Sequence, residues 1–263
     1  MKGEKNAINR MYLNQINIKW RKVEQAAGDF RASADKLDAL IDALDEFAHD
    51  LQNPKYRQSA KDKGGFCSDA ELFSGSYIDD LLQVLVGQYK LPQSGVHWGY
   101  QVYSTGFEFA QKRLLLDNRQ PFIQSGESPR LLMLGQQIDL QFRLAGRRNF
   151  TKYQINLPIL VFHTFHSFDE NDFIRVNHYA HLAKQIFAMS KTLVVTETLA
   201  GSYYPDIGGS SVDGVFVLRK ADKKSQQHGL STEVVKRLDR KIRDMLLEKE
   251  SNPRDILRCG FAD

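Results

Sequence analysis

The spacing of apolar residues along the chain changes near residue 92. Before that point, apolar residues recur three or four positions apart, which is the pattern of one buried face of a helix. The clearest run lies over residues 33–52 and consists of Leu37, Leu40, Ile41, Leu44, Phe47, Ala48 and Leu51. The spacing predicts helices over about 7–27, 33–52 and 69–89.

Beyond Pro92 the pattern is typical of strands. Ile138, Leu140 and Phe142 alternate with polar residues, as in a strand with one buried face. Residues 155–165 are apolar at both parities, which indicates a strand covered on both sides. The predicted strands lie at about 137–144, 156–164, 192–197 and 213–219. The predicted helices lie at about 170–188, with Asp169 as N-cap, and at about 231–249.

This order of elements predicts an α/β fold. A strand, a helix and a further strand at this spacing require a crossover connection and at least one parallel strand pair. We therefore expect a mixed central sheet flanked by helices. The change of pattern predicts a helical N-terminal subdomain over residues 1–92 and an α/β domain over 93–263.

Composition restricts the class of protein. The chain has 263 residues, of which 42% are hydrophobic and 26% are charged, as in an ordinary globular protein. No apolar run approaches the roughly 20 residues that cross a membrane, and the first residues lack the apolar stretch of a signal peptide. Only two cysteines are present, too few for a disulfide framework. We expect a cytoplasmic protein with no membrane partner.

Basic residues are clustered, although the net charge is only +4. Separate basic patches on a nearly balanced chain are typical of a surface that follows phosphates, although solvated loops give the same pattern. The residues expected to contact DNA phosphates are Lys63, Arg147, Arg148, Arg219, Lys220, Lys223 and Lys224.

Most catalytic motifs are missing. The sequence has no phosphate-binding P-loop, no dinucleotide fingerprint and no Gly-x-Ser-x-Gly elbow. Four histidines, His163, His166, His178 and His181, fall near the end of the central strand and on the helix after it. They leave open a histidine-based metal hydrolase, in which His163 would lie near His178 or His181.

Several short strings resemble one family. Leu193 to Thr198 reads Leu-Val-Val-Thr-Glu-Thr, and Val215 to Lys220 reads Val-Phe-Val-Leu-Arg-Lys. With the strand around Gln136 to Leu140 and the Pro158-led strand, these strings resemble the type II restriction endonucleases related to BbvCI, in the PD-(D/E)xK nuclease superfamily. The resemblance covers roughly residues 95–250 and implies a restriction-endonuclease-like fold.

The resemblance also implies a catalytic site. In that superfamily an Asp and a Glu hold Mg²⁺ and a Lys assists the attacking water. Asp139 corresponds to the first Asp and is the expected metal ligand, whereas His163 and Phe165 stand where the Glu and the Lys should be. Glu197 is the first choice for a replacement acid, with Glu71 or Asp79 as others. We therefore expect Asp139, His163 and Glu197 to form the site, and cleavage by this chain alone to be impaired or absent.

Three functions follow as hypotheses. The first is a Mg²⁺-dependent, site-specific endonuclease of a restriction-modification system, or a subunit of one, which works on double-stranded DNA as a homodimer or heterodimer. The second is a catalytically inactive module of the same fold that binds DNA or a partner chain. The third is the histidine-based metal hydrolase.

Overall fold

The computed structural model describes residues 18–52, 70–89, 96–109, 123–142, 151–201, 203–219 and 229–247. Both cysteines lie outside these ranges. The helices are α1 over 18–32, α2 over Leu37–Gln52, α3 over Ala70–Gly87, α4 over Glu170–Ile186 and α5 over Thr232–Leu247, with a short 3-10 turn at Ala34–Lys36. The strands are β1 Val96–Gln101, β2 Ser104–Phe109, β3 Ile123–Glu127, β4 Leu131–Phe142, β5 Thr151–Phe168, β6 Lys191–Leu199 and β7 Gly214–Val217. In the described part of the chain, no helix is long and apolar enough to cross a membrane.

Five strands form one mixed sheet in the order β1-β4-β5-β6-β7. β4 pairs antiparallel with both β1 and β5, whereas β6 pairs parallel with both β5 and β7. Helix α4 makes the crossover from β5 to β6, as a parallel pair requires. β2 and β3 form a separate antiparallel pair. This arrangement confirms the predicted α/β fold with a mixed sheet.

The two faces of the main sheet bury different partners. On one face, α1, α2, α3 and α5 share a single apolar core with Leu134, Phe162 and Leu193 of the sheet. On the other face, α4 packs against the alternate residues, among them Val161 and Val194. The N-terminal helices therefore share the core of the sheet, rather than burying a core of their own.

Helix α4 begins where the sequence predicts. The backbone N–H of Asp172 donates to the Asp169 carboxylate over 2.8 Å, and Asp172 in turn accepts from the backbone of Asp169. This reciprocal capping box satisfies two N–H groups that a helix start leaves unpaired.

The structure differs from the predicted elements in the first strands. The sequence pattern does not predict β1, β2 or β3, and it starts β4 about six residues late. The first residues of β4 are apolar at both parities, because this end of β4 lies between two strands and is covered on both faces. The alternating pattern that signals a strand therefore begins only at about Gln137. Gly135 lies at a bulge opposite Pro158, where an added Cβ would lie 3.3 Å from the carbonyl oxygen of Leu157.

The shared core gives the first testable prediction. Leu85 of α3 is fully buried in that core, whereas Gln83 of the same helix is exposed. Leu85→Ala is expected to lower the free energy of unfolding by about 2–5 kcal/mol, because it leaves a cavity beneath the sheet. Gln83→Ala should change it by less than about 0.5 kcal/mol. Urea denaturation followed by circular dichroism measures both, and equal effects of the two variants would contradict the shared core.

Candidate functional site

The parallel strands β5 and β6 bring two polar side chains together near their carboxyl ends. Residue 166 lies opposite residue 197, since Phe165 pairs with Thr196 and Ser167 with Thr198. Both side chains point to the face covered by the N-terminal helices, because they share the parity of Phe162 and Leu193. Here Nδ1 of His166 contacts Oε2 of Glu197.

Glu197 is the centre of a buried polar network. It is 1% exposed, and its Oε1 accepts a hydrogen bond from Nε of Arg219 over 2.6 Å. Nη1 of Arg219 donates to Oδ1 of Asp45 on α2 over 2.9 Å, and the backbone N–H of Leu230 donates to the same oxygen. The network therefore ties β5, β6 and the segment after β7 to α2 and to the segment that leads into α5. We call these four side chains, His166, Glu197, Arg219 and Asp45, the Glu197 network.

The approach of the chain to Asp45 is close. A Cβ added at Gly229 would lie 2.6 Å from Oδ2 of Asp45. A side chain at residue 229 would therefore require the Asp45 carboxylate to shift relative to Arg219 and Leu230.

Electrostatics keep Glu197 ionised. Burial by itself would raise the pKa of Glu197, but the hydrogen bond with His166 and the charge of Arg219 outweigh burial and hold the pKa below its usual value. Burial, together with the neighbouring Glu197 carboxylate, raises the pKa of Tyr77 on α3, so this phenol stays neutral. One oxygen of the Glu197 carboxylate therefore faces the Arg219 guanidinium, and the other faces the His166 imidazole.

A second pair of acids lies on α3. Asp79 is 8% exposed, and its carboxylate accepts a hydrogen bond from the Tyr100 hydroxyl of β1. Burial raises the pKa of Asp79. Burial and the charge of Asp79 raise the pKa of Asp80 to about 6. The surroundings of these two acids therefore favour the protonated form, whereas those of Glu197 favour the ionised form.

Asp139 does not meet the other predicted site residues. It is exposed on β4, opposite Gln154 of β5, whose Nε2 donates to it over 3.3 Å. His163 lies nine residues farther along β5, which is about 30 Å at the rise of an extended strand. The alignment that set His163 and Phe165 beside Asp139 therefore does not hold in the folded chain, because the β4–β5 hairpin places them toward opposite ends.

His163 and Glu197 also point away from each other. His163 pairs with Val194 and shares the face that packs on α4, whereas Glu197 lies on the opposite face. The two-residue period of a strand accounts for this separation. Phe165 shares the face of His163 and packs against Phe168, with 4.9 Å between ring centroids.

The described residues do not fit the Mg²⁺ site that the resemblance implies. Mg²⁺ takes oxygen ligands at near-octahedral geometry. Asp139 lies toward the opposite end of the β4–β5 pair from His163 and contacts Gln154, Asp79 binds a hydroxyl, and Glu197 faces a guanidinium and an imidazole. Within the described ranges, no three His, Cys, Asp or Glu side chains group in a way that could hold a metal ion.

Arg219 is not placed to contact phosphate. It is 7% exposed, and its guanidinium is bound by Glu197 and Asp45. The expected phosphate contact is therefore corrected to a structural ion pair. The other predicted DNA-binding residues, Lys63, Arg147, Arg148, Lys220, Lys223 and Lys224, lie outside the described residues.

The histidines do not assemble into the alternative metal site. His178 and His181 are exposed on α4, and Nε2 of His181 lies 3.1 Å from Nε2 of Gln185. His163 is buried beneath that helix, and within the described residues these three histidines do not group in a way that could hold a metal ion.

The Glu197 network was missed by sequence reasoning, although a signal existed. His166 and Glu197 each lie near the end of a buried strand in consecutive parallel strands, a position where side chains meet. Which of His163 and His166 shares the face of Glu197 depends on the register of the two strands. The contribution of Asp45, from a helix 152 positions earlier than Glu197, has no local signal.

The comparisons with known proteins agree with this architecture. No protein-family model matches the chain, and no curated protein sequence matches it. Among solved structures, the native BbvCI A2B2 tetramer at low resolution contains a chain similar to this one, with a TM-score of 0.61. The alignment covers 95% of this chain and 96% of that chain at 14% sequence identity.

The chain has a restriction-endonuclease-like fold. The coverage shows that the likeness includes the N-terminal helices as well as the sheet. At 14% identity the likeness concerns the fold and not the residues of a site.

The Glu197 network gives a prediction about pH. Because the pKa of Glu197 is lower in the folded chain than in the unfolded chain, its ionisation stabilises the fold above the ordinary carboxyl range. That contribution is lost as the pH falls through the lowered pKa. We expect Glu197→Gln to destabilise the fold by about 3 kcal/mol at pH 7 and by progressively less below about pH 4.

The matched control is Glu233→Gln, which removes an exposed acid that is paired with Arg237 on α5. Its effect should stay below about 0.5 kcal/mol across the same pH range. Urea titrations from pH 7 to pH 3 measure both variants. A Glu197→Gln effect that does not change with pH would contradict an ionised Glu197 in the folded chain.

Proposed function

We propose that this chain is a DNA-binding subunit of a restriction-endonuclease-type assembly, and that it holds double-stranded DNA without itself supplying a metal-dependent cleavage centre. One observation carries the proposal. The fold is restriction-endonuclease-like, yet among the described residues Asp139 contacts Gln154, Asp79 accepts a hydrogen bond from a hydroxyl, and Glu197 is paired with Arg219.

The arrangement of carboxylates favours binding over cleavage. A hydrolytic Mg²⁺ site needs at least two carboxylates or phosphate oxygens around one ion. Asp139 is exposed on β4, where Gln154 is its hydrogen-bond partner, and the charge of Glu197 is balanced by Arg219. An acid that already stabilises a buried guanidinium binds a metal poorly, since the ion pair must break first.

Assembly with other chains is supported by the structural neighbour. That neighbour is an A2B2 tetramer, which contains two kinds of chain. In such an assembly one kind of chain can bind DNA while another cuts it. We therefore expect this chain to pair with itself or with a different chain when it engages DNA.

The basic clusters of the sequence supply the DNA-binding charge. Six of the seven predicted phosphate contacts remain after Arg219 is assigned to the Glu197 network, namely Lys63, Arg147, Arg148, Lys220, Lys223 and Lys224. When the logarithm of the binding constant is plotted against the logarithm of the salt concentration, each phosphate contact makes the slope steeper by about 0.9. With about six contacts, affinity for a duplex should fall roughly a thousandfold between 50 and 200 mM salt.

Fluorescence anisotropy with a labelled 20-base-pair duplex measures this salt dependence. The double variant Lys223→Gln/Lys224→Gln should reduce the slope by about two. The control Lys22→Gln/Lys236→Gln removes two lysines that are paired with Glu46 and Asp38 on α2, and it should leave the slope unchanged. Absence of duplex binding by the wild-type chain in low salt would overturn the proposal.

A cleavage assay tests the second half of the proposal. The purified wild-type chain should leave supercoiled plasmid and mixed-sequence linear DNA intact in Mg²⁺ or Mn²⁺, while anisotropy shows binding. Metal-dependent cutting by this chain alone would contradict the proposal. If cutting is observed, the Asp139→Ala variant is tested in the same assay. Loss of cutting would identify Asp139 as part of the catalytic site, and continued cutting would show that the site lies elsewhere.

A further inference from the structure

A pocket of about 450 Å³ opens where β4 begins, beside His163 of β5 and helix α4. Its size falls within the range of small-ligand sites, which is about 300–1,000 Å³. The residues that decide its chemistry are Tyr100, Arg130, His163, Phe165, Arg175 and Tyr179. None of these takes part in the Glu197 network, so the pocket is a separate feature of the fold.

The wall of the pocket holds a buried polar group. His163 is 6% exposed, and within the described residues its Nε2 has no hydrogen-bond partner. Burial, with a further contribution from the charge of Arg175, lowers the pKa of His163 to about 4. At neutral pH the imidazole is therefore uncharged, and its ring nitrogens can serve as one donor and one acceptor. A buried polar atom without a partner is costly, so a ligand that offers a polar edge gains from pairing with it.

The rim of the pocket combines flat cations with aromatic rings. The guanidinium of Arg130 lies 5.8 Å from the centroid of Tyr100, and that of Arg175 lies 6.0 Å from the centroid of Phe165. Arg175 is also anchored by Asp172, with 2.6 Å between Nη2 and Oδ1. Guanidinium groups bind phosphate through two parallel hydrogen bonds, and aromatic rings and guanidinium planes both stack on flat rings.

We propose that this pocket binds a single unstacked nucleobase together with its phosphate. The base lies against Phe165 and Tyr179 with its polar edge toward His163, and Arg130 and Arg175 hold the phosphate. Inorganic phosphate alone would use the two arginines but not the aromatic walls. An apolar ligand would leave both the arginines and His163 without a role.

A nucleotide could reach this pocket from two sources. The nucleotide is either free in solution or extruded from a DNA duplex, and the second source rests on the proposed function. Extrusion costs least at a mismatched base pair, because less pairing is lost. A chain that captures an extruded base should therefore bind a mismatched duplex more tightly than a fully paired one.

The experiment uses the full chain and two probes. The first probe is a pair of 20-base-pair duplexes that differ only by a central T·T mismatch, compared by anisotropy competition, with about tenfold tighter binding expected for the mismatched duplex. The second probe is thymidine monophosphate in a thermal-shift assay, with inorganic phosphate as the comparison. Thymidine monophosphate should raise the melting temperature, and phosphate at the same concentration should not.

Three variants locate the effect. Arg175→Gln and His163→Leu should each abolish both the preference for the mismatched duplex and the thermal shift. Arg237→Gln is the matched control, because Arg237 is also an exposed helical arginine paired with an acid on its own helix, and it should retain both effects. If His163→Leu fails to fold, Arg130→Gln replaces it, since Arg130 is exposed and contributes no core packing.

Each outcome decides the proposal. A thermal shift without a preference for the mismatch supports a pocket for free nucleotides, and this result holds even if the chain binds no duplex. Both effects together support capture from DNA. Equal binding of the two duplexes with no thermal shift overturns the proposal, as does an identical response of Arg175→Gln and Arg237→Gln. If either of these two results is obtained but the chain still binds duplex DNA, the nucleobase proposal fails and the proposed function is unaffected.

Discussion

The central strand β5 is the constraint on which the rest of the structure depends. It pairs antiparallel with β4 on one side and parallel with β6 on the other, and helices cover both of its faces. A strand buried on two faces must satisfy its backbone through its neighbours, so β4 and β6 cannot shift without unpairing it. Its alternating side chains send Phe162 and His166 to one helical layer and Val161 and His163 to the other.

That alternation separates two polar regions of different character. On the side of the N-terminal helices, the Glu197 network joins elements distant in the sequence through one buried guanidinium. On the α4 side, His163 and Phe165 face a pocket bordered by two arginines. The first region is internally satisfied and contributes rigidity. The second contains exposed cations and an imidazole nitrogen that has no hydrogen-bond partner among the described residues, so it is the region suited to an external ligand.

The proposed role, in which this chain binds DNA without cutting it, rests on this separation of the two regions. Two buried acids of the described residues already have partners: Glu197 binds Arg219, and Asp79 binds Tyr100. The positive groups that would attract DNA lie in clusters between the predicted elements and beside the pocket. Binding of DNA through phosphates needs only such cations, whereas hydrolysis needs carboxylates that converge on one point.

The sequence by itself determined the α/β class, the central strand and the capped start of α4, because apolar periodicity and N-cap chemistry are local properties. It did not reveal β1 to β3 or the early start of β4, since strands covered on both faces, or short edge strands, lack a clean alternation. The tertiary structure alone decided the site. The register of β5 and β6 places His166 rather than His163 beside Glu197, and the β4–β5 pairing separates Asp139 from His163. Arg219, which the sequence predicted as a DNA contact, instead forms a buried ion pair because the chain after β7 packs against α2. Such pairings depend on contacts between residues far apart along the chain, which no local pattern specifies.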